Sequence, residues 1–143
     1  MNHRISRDEA AEVFVGAVAK TGLASRRGVI EGLVTGIPKD PFEPLSQWYG
    51  SLSDQDKEFA RKLVHVTMDQ SVFGLLCLLD GVAGHERIED KLVHFGLSFE
   101  LYRNIDRLMS DDPELSVHLN RSLEEDHLHD LFADVMEEMK EST

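Results

Sequence analysis

The chain has 143 residues, of which 41% are hydrophobic and 29% charged, and its 15 Lys/Arg against 27 Asp/Glu leave a formal net charge of −12. That length and balance fit one globular domain, 1–143, and are too apolar for a disordered segment. The negative charge disfavours nucleic acid and anionic membrane surfaces, whose phosphates it repels, and the single cysteine, Cys77, excludes an internal disulfide and so a disulfide-built secreted scaffold.

Near the start, Arg4 and Arg7 precede the apolar run Val13 to Ala19, as in a secretory leader. Asp8, Glu9 and Glu12 occupy positions that should be apolar in a leader, so the expectation is a soluble cytoplasmic protein. No run of about 18 apolar residues suggests a membrane span. Ser6-x-x-Glu9 is a capping box, which predicts a helix over 7–21 ended by Gly22. Ser25 can cap a second helix over 26–35 that buries Val29, Ile30, Leu33 and Val34 and stops at Gly36 and Pro38. Pro38, Pro41 and Pro44 then suggest an extended connector whose Phe42, Trp48 and Tyr49 pack back onto the helices or serve in recognition.

The strongest periodic signal runs from Ser53, paired with Asp56 as a cap, to Gly81. Phe59, Leu63, Val66, Phe73 and Cys77 recur at helical spacing, and Val72 to Leu79 is apolar almost all round. A helix apolar on every side is expected to be buried on every side. It is therefore the central helix, about 54–80, with Leu75, Leu76 and Leu79 in the core and Gly81 as its left-handed cap.

Beyond Gly84, Val93, Phe95, Leu97, Phe99 and Leu101 alternate with other residues, which favours a strand. Leu97, Leu101, Ile105 and Leu108 also fit a helix. The expectation is a short antiparallel hairpin within 93–110, turning at Asn104 to Asp106 and returning near 107–110. The whole is a predominantly α, α+β fold packed around one central helix; the alternative is an all-α bundle. Ser122-x-x-Glu125 caps a final helix with Leu128, Leu131, Phe132, Val135, Met136 and Met139 on one face.

Charge is unevenly distributed. The first forty residues hold six basic and five acidic side chains, whereas from Asp111 to Thr143 eleven Asp/Glu face only Arg121 and Lys140. Such asymmetry shapes association more than folding. The carboxylates expected to meet a basic partner are Glu124, Glu125, Asp130, Asp134, Glu137 and Glu138.

Two constellations could carry chemistry. On the central helix His65 and Asp69 are one turn apart, and Asp80 follows near the same line. A carboxylate beside an imidazole fixes its tautomer and suits acid–base work. Asp80, at a helix C-terminus, opposes the macrodipole and so needs a local partner. In Asp126-His127-Leu128-His129-Asp130, helical geometry turns His127 and His129 about 200° apart. That leaves Asp126, His129 and Asp130, with His118 from elsewhere, as possible metal ligands. Both sets read more readily as solvated or structural polar groups. No cofactor is expected. Cys77, between leucines, reads as an inert core thiol. Arg26-Arg27 is too small for a nucleic-acid footprint, and no P-loop, dinucleotide fingerprint or Gly-x-Ser-x-Gly occurs.

Three segments, WYGSLSDQD (Trp48 to Asp56), MDQSVFGLLCLLDGV (Met68 to Val82) and LHDLF (Leu128 to Phe132), together resemble a set found in small bacterial proteins. The resemblance implies a central helix ending in an LDG turn, then a strand pair and a closing helix. It implies no activity. The leading functional expectation is thus a non-enzymatic protein that binds a basic protein through its acidic C-terminal third, in the manner of a neutraliser or immunity protein. The alternatives are a small-ligand or metal-dependent enzyme using His65, Asp69 and Asp80, and a self-associating structural protein with the aromatics at 42–49 as interface.

Overall fold

A computed structural model describes residues 5–36, 42–82, 87–102, 112–121 and 126–141. They form a mostly helical α+β fold in the order α1 (Arg7–Thr35), α2 (Phe42–Ser51), α3 (Asp54–Leu79), β1 (Arg87–Ile88), β2 (Lys91–Leu92), β3 (Ser98–Leu101), β4 (Leu115–His118) and α4 (Leu128–Glu141). The chain divides into two compact units: Met1–Ala19 with Phe73–Thr143, and Lys20–Val72.

The capping signals act as their chemistry requires. Ser6 N–H donates to Glu9 Oε2 at 2.8 Å while Glu9 N–H donates to Ser6 Oγ at 3.2 Å, so two of the orphan donors at the start of α1 are satisfied reciprocally. At the start of α3, Asp56 N–H donates to Ser53 Oγ at 3.2 Å. The α3 C-terminus closes with Val82 N–H on Cys77 O at 3.0 Å and Gly81 N–H on Leu78 O at 3.2 Å, with Gly81 at φ 75°. This is the Schellman pattern, which needs a residue free of Cβ strain at the left-handed position. Gly36 ends α1 with a simpler left-handed cap, at φ 67° and with its N–H on Gly32 O at 3.1 Å.

Several expectations are corrected. The predicted helices 7–21 and 26–35 are one helix, because Gly22 lies inside α1 and costs only about 1 kcal/mol of propensity there. The proline connector is instead helical from Phe42. Pro44 sits in the first turn of α2, where its missing N–H removes no intrahelical bond. Pro38 and Pro41 lie outside the described residues. Within α2, Tyr49 is buried and Trp48 is 50% exposed.

The extent of α3 matches expectation, but its burial on every side does not. Leu76 is 1% exposed, whereas Leu75 is 57%, Phe59 57%, Leu63 67% and Val66 59% exposed. Apolar composition states what a helix could bury, not how much of the rest of the chain is available to cover it. Among the described residues, α3 is the one helix long and apolar enough, by length and composition, to cross a membrane.

Two small antiparallel sheets replace the single hairpin. β1 pairs with β2 about a turn in which Glu89 takes φ 57°. β3 pairs with β4 in the register Ser98 to His118, Phe99 to Val117, Glu100 to Ser116 and Leu101 to Leu115. The strand signal was sound for 98–101, but its partner comes from 115–118. The proposed turn and return strand, 104–110, lie outside the described residues.

In the first unit the buried apolar residues are Ala10, Ala11, Val15 and Ala19 of α1, Leu76, Leu119, and Leu128, Phe132 and Met136 of α4. Asn120 staples this core. Its Oδ1 accepts from Leu97 N–H at 2.8 Å, and its Nδ2 donates to Leu79 O at 2.6 Å and Phe95 O at 2.8 Å. One amide thereby satisfies an orphan carbonyl at the end of α3 and two groups of the segment before β3. Arg7 adds a second tie, donating from Nε and Nη2 to Leu119 O at 3.0 and 2.6 Å and from Nη2 to Asp126 O at 2.6 Å.

The second unit buries Leu33 and Tyr49. Gly32 is placed so that a Cβ would lie 2.7 Å from Phe42 Cδ1, which allows the Phe42 ring to close on α1. Arg26, 9% exposed, pairs with Asp69 through Nη1 and Oδ2 at 3.4 Å.

Candidate metal centre and acidic helix face

Asp80 follows directly on α3, and the Schellman turn directs its chain away from the helix. Its side chain is 2% exposed. The local partner that its position demands is the start of α4: Oδ2 accepts the backbone N–H of His129 at 2.9 Å and meets His129 Nδ1 at 2.8 Å. A carboxylate unfavourable at one helix C-terminus thus caps the N-terminus of another, where the macrodipole favours it. With Nδ1 donating to a carboxylate, the His129 ring is held in one tautomer.

His129 is packed on both sides. Phe73 meets its ring edge-on at a centroid distance of 5.4 Å, and His127 stacks on it at 5.3 Å with 23° between planes. The opposite placement of His127 and His129 holds only if both are helical. His127 is the N-cap residue of α4: its carbonyl accepts from Leu131 N–H at 3.1 Å, but its own backbone precedes the helix. The two rings therefore lie on the same side. One ligand atom from each of Asp80, His127 and His129 falls within 4.8 Å of the other two.

The cluster joins one residue from each sequence constellation, Asp80 and His129, and adds His127. The other candidates lie elsewhere. His65 is exposed and makes no hydrogen bond to Asp69, whose carboxylate accepts from Arg26. His118 is exposed on β4 with its Nδ1 at 3.1 Å from Ser98 Oγ. Asp126 is exposed and uses its carbonyl, not its carboxylate, to hold Arg7. Asp130, 65% exposed, reaches His129 Nε2 at 3.5 Å. Cys77 lies beside this group, and burial, then the charges of Asp80 and Asp130, push its thiol pKa up. That keeps it protonated and unreactive near neutrality.

The second feature is the outer face of α4. Leu128, Phe132 and Met136 are buried at i, i+4 and i+8, while Asp130, Asp134, Glu137 and Glu138 are exposed. The carboxylates recur at the three- and four-residue spacings that share one helix side. Lys140 Nζ lies 3.9 Å from Glu137 Oε2, an exposed pair that offsets little of this charge. Glu124 and Glu125 lie outside the described residues.

Comparison with known protein families, curated proteins and solved structures found no match.

Proposed function

We propose that this is a non-enzymatic binding protein that presents the outer face of α4 to a basic protein, a role suited to neutralising a cationic partner. The observation that carries the reading is the segregation of α4: its apolar side is consumed by the core of its own unit, and Asp130, Asp134, Glu137 and Glu138 remain exposed together. Like charges gathered on one face repel one another, and a cationic surface relieves that repulsion while accelerating encounter. A cytoplasmic location accompanies this reading, and the single thiol is compatible with it.

The test is association with a basic partner measured across a salt series, for the native chain and for the combined variant Asp134→Lys, Glu137→Lys, Glu138→Lys. The native association rate falls as the Debye length shrinks from about 10 Å at 0.1 M to about 3 Å at 1 M. The variant associates at least tenfold more slowly at low salt, with unchanged circular dichroism. Equal rates for the two proteins would assign the charge to solubility alone.

A second reading, self-association, has its own observation: Trp48, Phe59, Leu63 and Val66 are all half-exposed or more in the second unit. Apolar side chains at i, i+4 and i+7 left in contact with water favour a partner surface. Light scattering of the native chain and of Leu63→Asp distinguishes a dimer from a monomer. Recovery of the native chain with membranes rather than in the soluble fraction would count against both readings.

A further inference from the structure

We propose that Asp80, His127 and His129 form a binding site for a divalent first-row transition metal, zinc foremost. Two imidazoles and one carboxylate are the donor set that borderline cations take, whereas calcium and magnesium prefer all-oxygen cages. The three ligand atoms already lie within 4.8 Å of one another. In a tetrahedral zinc site with bonds of roughly 2.0–2.1 Å, ligand atoms are about 3.3 Å apart, so the site must draw together by no more than about 1.5 Å.

A metal shared by Asp80 and His129 replaces the proton of their Nδ1–H···Oδ2 bond, as metal binding to imidazole and carboxylate releases protons, and the remaining movement falls on one residue. Asp80 is fixed by the α3 turn and by the His129 backbone, and His129 is fixed by Asp80 and Phe73. Among the described residues the His127 ring makes only the stacking contact with His129 and no hydrogen bond, and its backbone lies just outside α4. Rotating that side chain breaks no hydrogen bond to a described residue.

Charge also favours a cation here. Asp80 is 2% exposed, and among the described residues its carboxylate takes its hydrogen bonds from His129 alone, both at Oδ2. A buried carboxylate with no Lys or Arg pairing it among the described residues gains from a cation placed beside it. Asp130, with its carboxylate at 3.5 Å from His129 Nε2, adds further negative potential beside the cluster. Three protein ligands leave a fourth position for water or for an exogenous group, the arrangement of zinc sites that exchange ligands rather than of closed structural ones.

The experiment uses the full chain without a histidine tag. Co²⁺ is titrated by visible absorption and Zn²⁺ by calorimetry, for the native protein and for His127→Ala, Asp80→Asn and His65→Ala. The expected result is one saturable equivalent in the native protein, with d–d bands of a low-coordinate Co²⁺ site displaced on adding Zn²⁺. His127→Ala weakens binding at least tenfold with unchanged circular dichroism, and His65→Ala binds as the native protein does. Asp80→Asn is expected to weaken binding too. If loss of its cap unfolds the chain, His127→Ala decides alone. Absence of saturable binding at millimolar metal, or native affinity in His127→Ala, overturns the proposal. The acidic face is tested separately, because Asp134, Glu137 and Glu138 contribute no ligand.

Discussion

α4 and α3 put their apolar residues to different uses. α4 is shorter and more charged, yet its apolar side is covered: Leu128 is 0% and Phe132 4% exposed. α3 has the richer apolar run, yet Phe59, Leu63, Val66 and Leu75 all stand in water and Leu76 is its one buried residue. The difference lies in amphipathicity. α4 separates its residues into one apolar side and one acidic side, so a single neighbouring surface can cover the first. α3 spreads apolar residues around its circumference, and one neighbouring surface covers only the side that carries Leu76. Hydrophobic content by itself therefore ranks these helices in the wrong order for burial.

Substitution on the two helices separates them most sharply. Phe132→Ala should cost about 3–5 kcal/mol, the range for a buried aromatic, whereas Phe59→Ala should stay within about 0.5 kcal/mol, as exposed sites do. Urea unfolding of the two variants measures this, and equal losses would mean that the exposed side of α3 is covered in solution. Asn120→Ala strips three bonds from the segment that fastens the end of α3, and leaving those groups unpaired should cost roughly 2–4 kcal/mol. A midpoint unchanged by this variant would show that water replaces the amide.

Glycines of α1 give a smaller and signed contrast. Gly22→Ala meets nothing within 4 Å and should stabilise by about 0.5–1 kcal/mol through helix propensity. Gly32→Ala gains the same propensity but drives a methyl into the Phe42 ring, and overpacking of about 1–3 kcal/mol should reverse the sign. Thermal melts in which both variants gain stability would displace Phe42 from its position on α1.

The smallest effect concerns reactivity. The Cys77 thiol pKa is raised, first by burial and then by Asp80 and Asp130. The thiolate fraction at pH 8 is therefore below that of a free cysteine, and alkylation by iodoacetamide should be slower than that of glutathione and accelerate above pH 9. Removing one of the charges, in Asp80→Asn, should move the profile toward lower pH. Alkylation as fast as that of glutathione at pH 8 would contradict the partial burial of Cys77 beside Asp80 and Asp130.

What the sequence revealed was local. Ser6 with Glu9, Ser53 with Asp56, and Gly81 each encode a hydrogen-bonding pattern within six residues, and each forms where its spacing indicates. Gly22 and Pro44 were over-read as breaks, because a glycine inside a helix or a proline in its first turn is a modest cost rather than a veto. The candidate metal centre was half legible. Asp80 stood out as a carboxylate at the wrong helix end, and His129 as part of a ligand-like run. Their meeting, 49 residues apart in sequence, depends on the path of 81–127, which no periodicity encodes. His127 was set aside by a helical rule that stops one residue short of it. Asn120 gave no signal, since a stapling amide looks like any other loop asparagine.

The first unit is assembled from both ends of the chain. Residues Met1–Ala19 belong with Phe73–Thr143, and the Arg7 guanidinium closes onto carbonyls 112 and 119 positions downstream. During synthesis at about 5–20 residues per second, Lys20–Val72 has left the ribosome several seconds before Leu119 and Asp126 emerge. Over that interval Ala10, Ala11 and Val15 wait without the surface that will cover them, on a helix whose far half can already pack. The order of birth thus makes the opening segment the last to be secured. A pulse of protease on ribosome-bound chains should cut within the first nineteen residues at every length, and within 20–72 only at the shortest lengths.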